Sequence, residues 1–77
     1  MDAQQATMVG IREILTERFG IKPERISLDA DFQKDLGFDS IDSVDLLFAV
    51  EDRFHKRIPA ESLKDIRTVR DLIVKLG

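Results

Sequence analysis

Asp35-Leu36-Gly37-Phe38-Asp39-Ser40-Ile41-Asp42 is the stretch on which the reading of this chain turns. It leads an acid-rich loop through a glycine into Ser40, and from there the chain becomes strongly apolar. Ile41, Val44, Leu46, Leu47, Phe48, Val50 and Phe54 recur at three- and four-residue spacings, which predicts a helix over residues 40–54 that ends before Pro59. Asp39 or Ser40 is its N-cap, and Asp42 stands in the first turn, where the helix dipole favours negative charge. A serine in this place either caps the helix, in which case alanine there costs about 1 kcal/mol, or offers its hydroxyl as an attachment point.

On a helical wheel the segment has two apolar stripes. Leu46, Leu47, Val50 and Phe54 suit a core. Ile41, Val44 and Phe48, at i, i+3 and i+7, turn toward another side. Either the helix is central and buried on two faces, or the second stripe borders a groove or a partner surface. Asp42 and Asp45 edge that stripe, so an uncovered stripe would suit a basic partner.

Working outward, Met8, Ile11, Ile14, Leu15 and Phe19 predict an amphipathic helix over Thr7–Phe19, stopped by Gly20 with Pro23 three residues later. Residues 21–39 show no sustained period and read as a long loop pinned by Ile21, Ile26, Leu28, Phe32 and Leu36. A loop of that length in so short a chain calls for a function. A short helical turn is expected around Ala60–Lys64, behind Pro59. The last helix opens at Thr68-Val69-Arg70-Asp71, a capping box with Asp in place of Glu, and sets Val69, Leu72, Ile73 and Leu76 on one face. The expected fold is all-α: a small four-helix bundle of three main helices and one short helix, with a long first loop, as a single domain over residues 1–77.

Composition narrows the function. A chain of 77 residues buries only about 60% of its unfolded surface, so its core is thin. With no cysteine there is no disulfide, thiol nucleophile or cysteine zinc site, and no metal site is expected. His55 is the one histidine. It stands fifteen residues along the helix from Ser40, at about 1.5 Å per residue, too far for a serine–histidine pair. Residues 1–52 carry 5 basic and 12 acidic residues, a net −7, and residues 53–77 carry 7 and 3, a net +4. The basic residues are interleaved with acids, and no Tyr or Trp is present to stack on bases, so nucleic acid is not an expected partner. No apolar run spans a bilayer and the first residues do not resemble a signal peptide, which makes a cytoplasmic monomer the expectation.

Leu36-Gly37-Phe38-Asp39-Ser40-Ile41 resembles the attachment motif of the acyl carrier proteins, usually Leu-Gly-x-Asp-Ser-Leu, with Ile41 a departure. Val44-Asp45-Leu46, Glu51-Asp52-Arg53-Phe54 and Ile58-Pro59 fall where that family has its acidic, apolar second helix, a Glu-x-x-Phe and an Ile-Pro. The likeness runs from Ile11 to Leu76. It implies a carrier rather than an enzyme: a phosphopantetheinyl transferase, using magnesium and coenzyme A, joins 4′-phosphopantetheine to Ser40, and the thiol of that arm holds acyl groups as thioesters. Asp39 holds the motif's geometry or helps to place magnesium. Gly37 serves a positive φ or a close approach by the transferase. Acyl-loading and synthase enzymes of fatty-acid, lipid or polyketide biosynthesis would dock on the second helix through Asp42, Asp45, Ile41, Val44 and Phe48.

Two features of the residues agree with this. A chain without cysteine needs an added thiol to carry a thioester, and a phosphate on a serine at a helix N-terminus faces free N–H groups and the positive end of the dipole. Burial gains about 0.8 kcal/mol per CH₂ of an acyl chain, and the lining for such burial would come from the second helix with Phe32, Ile58, Leu63 and Ile66. Ser43, in Asp42-Ser43-Val44, repeats the pattern without a preceding Leu-Gly and is expected to stay unmodified. General fatty-acid carriers stay acidic where this chain turns basic, at Arg53, Lys56, Arg57, Lys64, Arg67 and Arg70, so a carrier for a dedicated pathway is expected. An interaction module without a prosthetic group and a carrier of aminoacyl groups remain the alternatives.

Overall fold

Three α-helices carry the fold in the computed structural model, which describes residues 3–76: α1 (Ala3–Phe19), α2 (Ser40–Phe54) and α3 (Val69–Leu76). The short fourth helix is a 3-10 helix, Ala60–Asp65, and a single 3-10 turn, Pro23–Arg25, interrupts the long loop. Among the described residues there is no strand, and Asp31 and Thr68 form an isolated antiparallel bridge. The bundle is therefore the expected all-α one. α1 begins at Ala3 rather than Thr7, because Ala and Gln favour a helix without needing apolar periodicity.

Each helix end follows from its residues. Gly20, at φ 68°, turns the chain after α1, and the Ile21 N–H donates 3.0 Å to the Leu15 carbonyl. α3 carries the expected capping box: the Asp71 N–H donates to Thr68 Oγ1 at 3.2 Å, and Asp71 Oδ2 accepts from the Thr68 N–H at 3.1 Å. α2 ends at His55, which takes the left-handed conformation with φ 56° and ψ 39°.

Ile11 and Leu15 of α1, Val50 of α2 and Val69 of α3 are the most completely buried side chains, so all three helices meet at one core. Burying each stabilises the fold by roughly 1.5–3 kcal/mol. α1 crosses α2 where Gly10 faces Phe54: a Cβ on Gly10 would lie 2.5 Å from the ring's Cζ. Arg53 and Glu13 join the same two helices at 2.8 Å.

The long loop is held at two levels. Ile26, Phe32 and Leu36 are buried as expected, Ile21 and Leu28 are half-buried, and Ala30 and Phe38 are buried anchors that lack a periodic signal in the sequence. Phe38 packs between Phe19 and Phe32, with ring centroids at 4.8 and 5.6 Å. The backbone is also laced to the start of α3, by Phe32 N–H to the Arg67 carbonyl, Val69 N–H to Ala30 and Arg70 N–H to Leu28, at 2.9–3.2 Å. A segment without period thus holds its backbone through a second segment 35 to 42 residues away.

Candidate functional site at the start of the second helix

The buried Phe38 ring fixes the chain just before Asp39, and the Phe38 N–H closes the turn by donating to the Phe32 carbonyl at 2.8 Å. Gly37, at φ 74°, supplies the bend. Nothing lies within 4 Å of where its Cβ would be, so positive φ rather than crowding within the chain calls for glycine here. Asp39 is the N-cap: its Oδ1 accepts from the Asp42 N–H at 2.8 Å, while Asp42 Oδ2 accepts from the Asp39 N–H at 3.3 Å. The two aspartates form a reciprocal capping box.

That box leaves Ser40 at the first helical position, exposed, with no hydrogen bond from its Oγ among the described residues. The cost expected for losing a capping serine belongs to Asp39 instead. Ser40 and Ile41 keep backbone N–H groups that precede the first intrahelical bond, Ser43 N–H to the Asp39 carbonyl at 3.0 Å. A phosphate on Ser40 would face these donors and the positive end of the helix dipole.

Ile41, Val44 and Phe48 are 76%, 39% and 61% exposed, against the buried Leu46, Leu47 and Val50 on the opposite face. α2 is buried on one side, and the second stripe is open. With Ser40 and Asp45 it lines a shallow apolar depression of about 550 Å³. Asp42 is spent on the cap. Asp45 is gripped by Arg18 of α1, so of the two predicted docking acids one is ion-paired within the chain and the other gives one oxygen to the cap. That pairing is invisible to helical periodicity, since Arg18 lies 27 residues away in sequence.

Comparison with known proteins decides the family. Residues 9–74 match the family model for the phosphopantetheine attachment site. The chain is 37% identical over 62 residues to the acyl carrier protein of Bdellovibrio bacteriovorus, with 80% of each chain covered. It is 36% identical over 73 residues to the acyl carrier protein of Renibacterium salmoninarum, covering 95% of this chain and 90% of the relative. The chain belongs to the acyl carrier protein family. It is a carrier, not an enzyme, and its fold is that of a phosphopantetheine attachment domain.

On the core side of α2, the carrier has an apolar cavity of about 20 Å³ lined by Ser43, Leu46, Leu47 and Leu72 with Phe32, Leu63 and Ile66. Three of the four residues expected to line it beside α2 do so. Ile58 does not: it is buried in the core, and its N–H is taken by Glu51 Oε2 at 2.8 Å. That bond ties the end of α2 to the segment before Pro59, a role for Glu51 that its spacing from Phe54 did not disclose. A volume of 20 Å³ is about that of one water site, so an alkyl chain enters only if the helices separate.

Ser43, the rival serine, is half-buried one turn inside α2 of the carrier, its hydroxyl donating to the Asp39 carbonyl at 3.1 Å. His55 is exposed at the opposite end of α2 from Ser40. No described helix is long and apolar enough to cross a membrane.

Proposed function

We propose that Ser40 is the attachment point of 4′-phosphopantetheine and that the carrier delivers acyl groups to partner enzymes of fatty-acid, lipid or polyketide biosynthesis. The observation that carries this reading is the division of labour at the start of α2: Asp39 and Asp42 cap the helix, and the exposed Ser40 hydroxyl has no structural duty. Attachment forms a bond from Ser40 Oγ to phosphorus, breaks the pyrophosphate of coenzyme A and releases adenosine 3′,5′-bisphosphate, with the hydroxyl proton passing to the transferase or solvent. The bound arm supplies a thiol on which acyl groups ride as thioesters. Ser40 holds the arm's phosphate against the first N–H groups of α2, and Gly37 and Phe38 keep that turn in place.

Ile41, Val44 and Phe48 supply an apolar docking face beside the attachment point, for the phosphopantetheinyl transferase and then for acyl-loading and synthase enzymes. Asp42 and Asp45 border it. The basic second half of the chain favours partners of a dedicated pathway over those of a general fatty-acid synthase. Efficient elongation of acyl groups on this chain by such a synthase would overturn that part. The carrier acts in the cytoplasm as a monomer.

The test of attachment is the intact mass before and after incubation with coenzyme A, magnesium and a promiscuous transferase, for wild type, Ser40→Ala and Ser43→Ala. A gain of one phosphopantetheine in wild type and Ser43→Ala, absent in Ser40→Ala, is expected. No gain in folded wild-type protein, or a gain that Ser43→Ala removes, refutes it.

A further inference from the structure

The apolar cavity inside the bundle shares part of its wall with a neighbouring cleft. Its Phe32, Ser43, Leu63 and Ile66 also line a second, larger cleft of about 220 Å³, whose remaining wall carries Lys34, Lys64 and Arg67 with Asp31 and Gln33. This cleft opens one turn along α2 from Ser40, about 4.5 Å of helix rise away.

Cations outnumber acids in its wall, with Lys34, Lys64 and Arg67 against Asp31. Arg18, Arg53 and Arg70 each pair with a carboxylate, whereas no ion pair among the described residues engages Lys34, Lys64 or Arg67. The one carboxylate in the cleft, Asp31, bonds within its own loop: its Oδ1 accepts from the Gln33 and Lys34 N–H groups, both at 2.9 Å. Three cations therefore share the cleft with one acid, which Lys34 and Arg67 stabilise and whose Oδ1 is also held by its own loop, so positive charge remains in excess. The two volumes also differ in what they admit. The cavity of about 20 Å³ is closed to an alkyl chain in this arrangement, while the cleft of about 220 Å³ has room for a short polar group.

We propose that this cleft receives the end of the cargo carried on Ser40, and that Lys34, Lys64 and Arg67 favour a short acyl group ending in a carboxylate over an alkyl chain of equal length. The inference rests on Ser40 as the attachment point. A carboxylate leaving water for a partly enclosed site needs charged donors there, and the cleft holds three; an alkyl end gains nothing from them. The phosphodiester of the arm is a different anion, fixed by its bond at Ser40 beside the free N–H groups of Ser40 and Ile41.

The experiment loads the protein by a transferase from coenzyme A, pentanoyl-coenzyme A and glutaryl-coenzyme A, confirms each added mass, and compares backbone amide spectra. The glutaryl form is expected to shift amides of residues 31–34 and 63–67 relative to the pentanoyl form. In Lys64→Gln/Arg67→Gln, which alters exposed side chains and leaves the core intact, that difference is expected to vanish. Equal shifts from the two acyl groups would overturn the proposal. So would shifts already complete with the bare arm, which would assign the cleft to the arm itself rather than to its cargo. If no form gains mass, the attachment reading itself falls and this inference with it.

Discussion

Arg18 of α1 grips Asp45 of α2 through two nitrogens, with Nη2 2.6 Å from Oδ1 and Nε 3.2 Å from both carboxylate oxygens. The hydrogen bond to Arg18, with the charge of the guanidinium, holds the Asp45 carboxyl below the usual carboxylate range. A basic partner that reads Asp45 must therefore compete with an arginine of the same chain. Arg18→Gln is expected to raise the Asp45 titration midpoint back toward the usual carboxylate value, followed by carbon-13 shifts against pH. It is also expected to increase the rate of loading by a transferase with a basic docking surface, an increase that Asp45→Asn in the same chain cancels. An unchanged Asp45 midpoint would show the pair to be absent in solution.

Ser40→Ala and Asp39→Ala separate function from capping. Ser40→Ala is expected to lose phosphopantetheine with a melting temperature close to wild type, because its hydroxyl bonds nothing. Asp39→Ala removes the cap and is expected to cost about 1 kcal/mol, a fall of roughly 4–8 °C for a domain of this size. Calorimetry on both unmodified proteins checks the contrast.

Glu51→Ala leaves the Ile58 N–H without its acceptor. The cost is expected at about 1–3 kcal/mol, read as a lower urea midpoint with an unchanged slope. Glu51→Gln keeps an acceptor oxygen and should recover part of it.

His55 sits in the left-handed region, where a side chain is disfavoured and glycine is not. His55→Gly relieves a penalty of roughly 1–2 kcal/mol at an entropic cost of about 0.5–1 kcal/mol, so a modest net stabilisation is expected, seen as a higher melting temperature.

Asp31 and Asp71 share the depressed titration of Asp45, through backbone N–H donors: Lys34 and then Gln33 for Asp31, Arg67 and Thr68 for Asp71. In all three the folded state binds its proton less readily than the unfolded state. Their contribution is thus present above the unfolded value of about 3.9 and is lost as pH falls through the lower folded values. Urea midpoints are expected to vary little with these groups between about pH 7 and 5 and to drop below about pH 4.

Helix positions, most of their ends and the core stripe were legible in the sequence because they depend on local physics: the 3.6-residue period of Leu46, Leu47 and Val50, the glycine after α1, and the Thr68–Asp71 box; the start of α1, set by helix propensity rather than apolar period, was not. Ser40 stood out for the same reason, by its place where an acidic loop meets an apolar helix. What tertiary structure alone decided was every property that depends on residues distant in sequence. Periodicity could not tell whether Ile41, Val44 and Phe48 were covered, and they are open because α1, α3 and the 60–65 segment pack elsewhere. Phe38 became an anchor only when Phe19 and Phe32 met it, Asp45 lost its freedom only when α1 brought Arg18 to it, and Lys34, Lys64 and Arg67 became neighbours only when the loop was laced to α3. Periodicity reports which way a side chain points, but contact and charge pairing arise from the meeting of two segments.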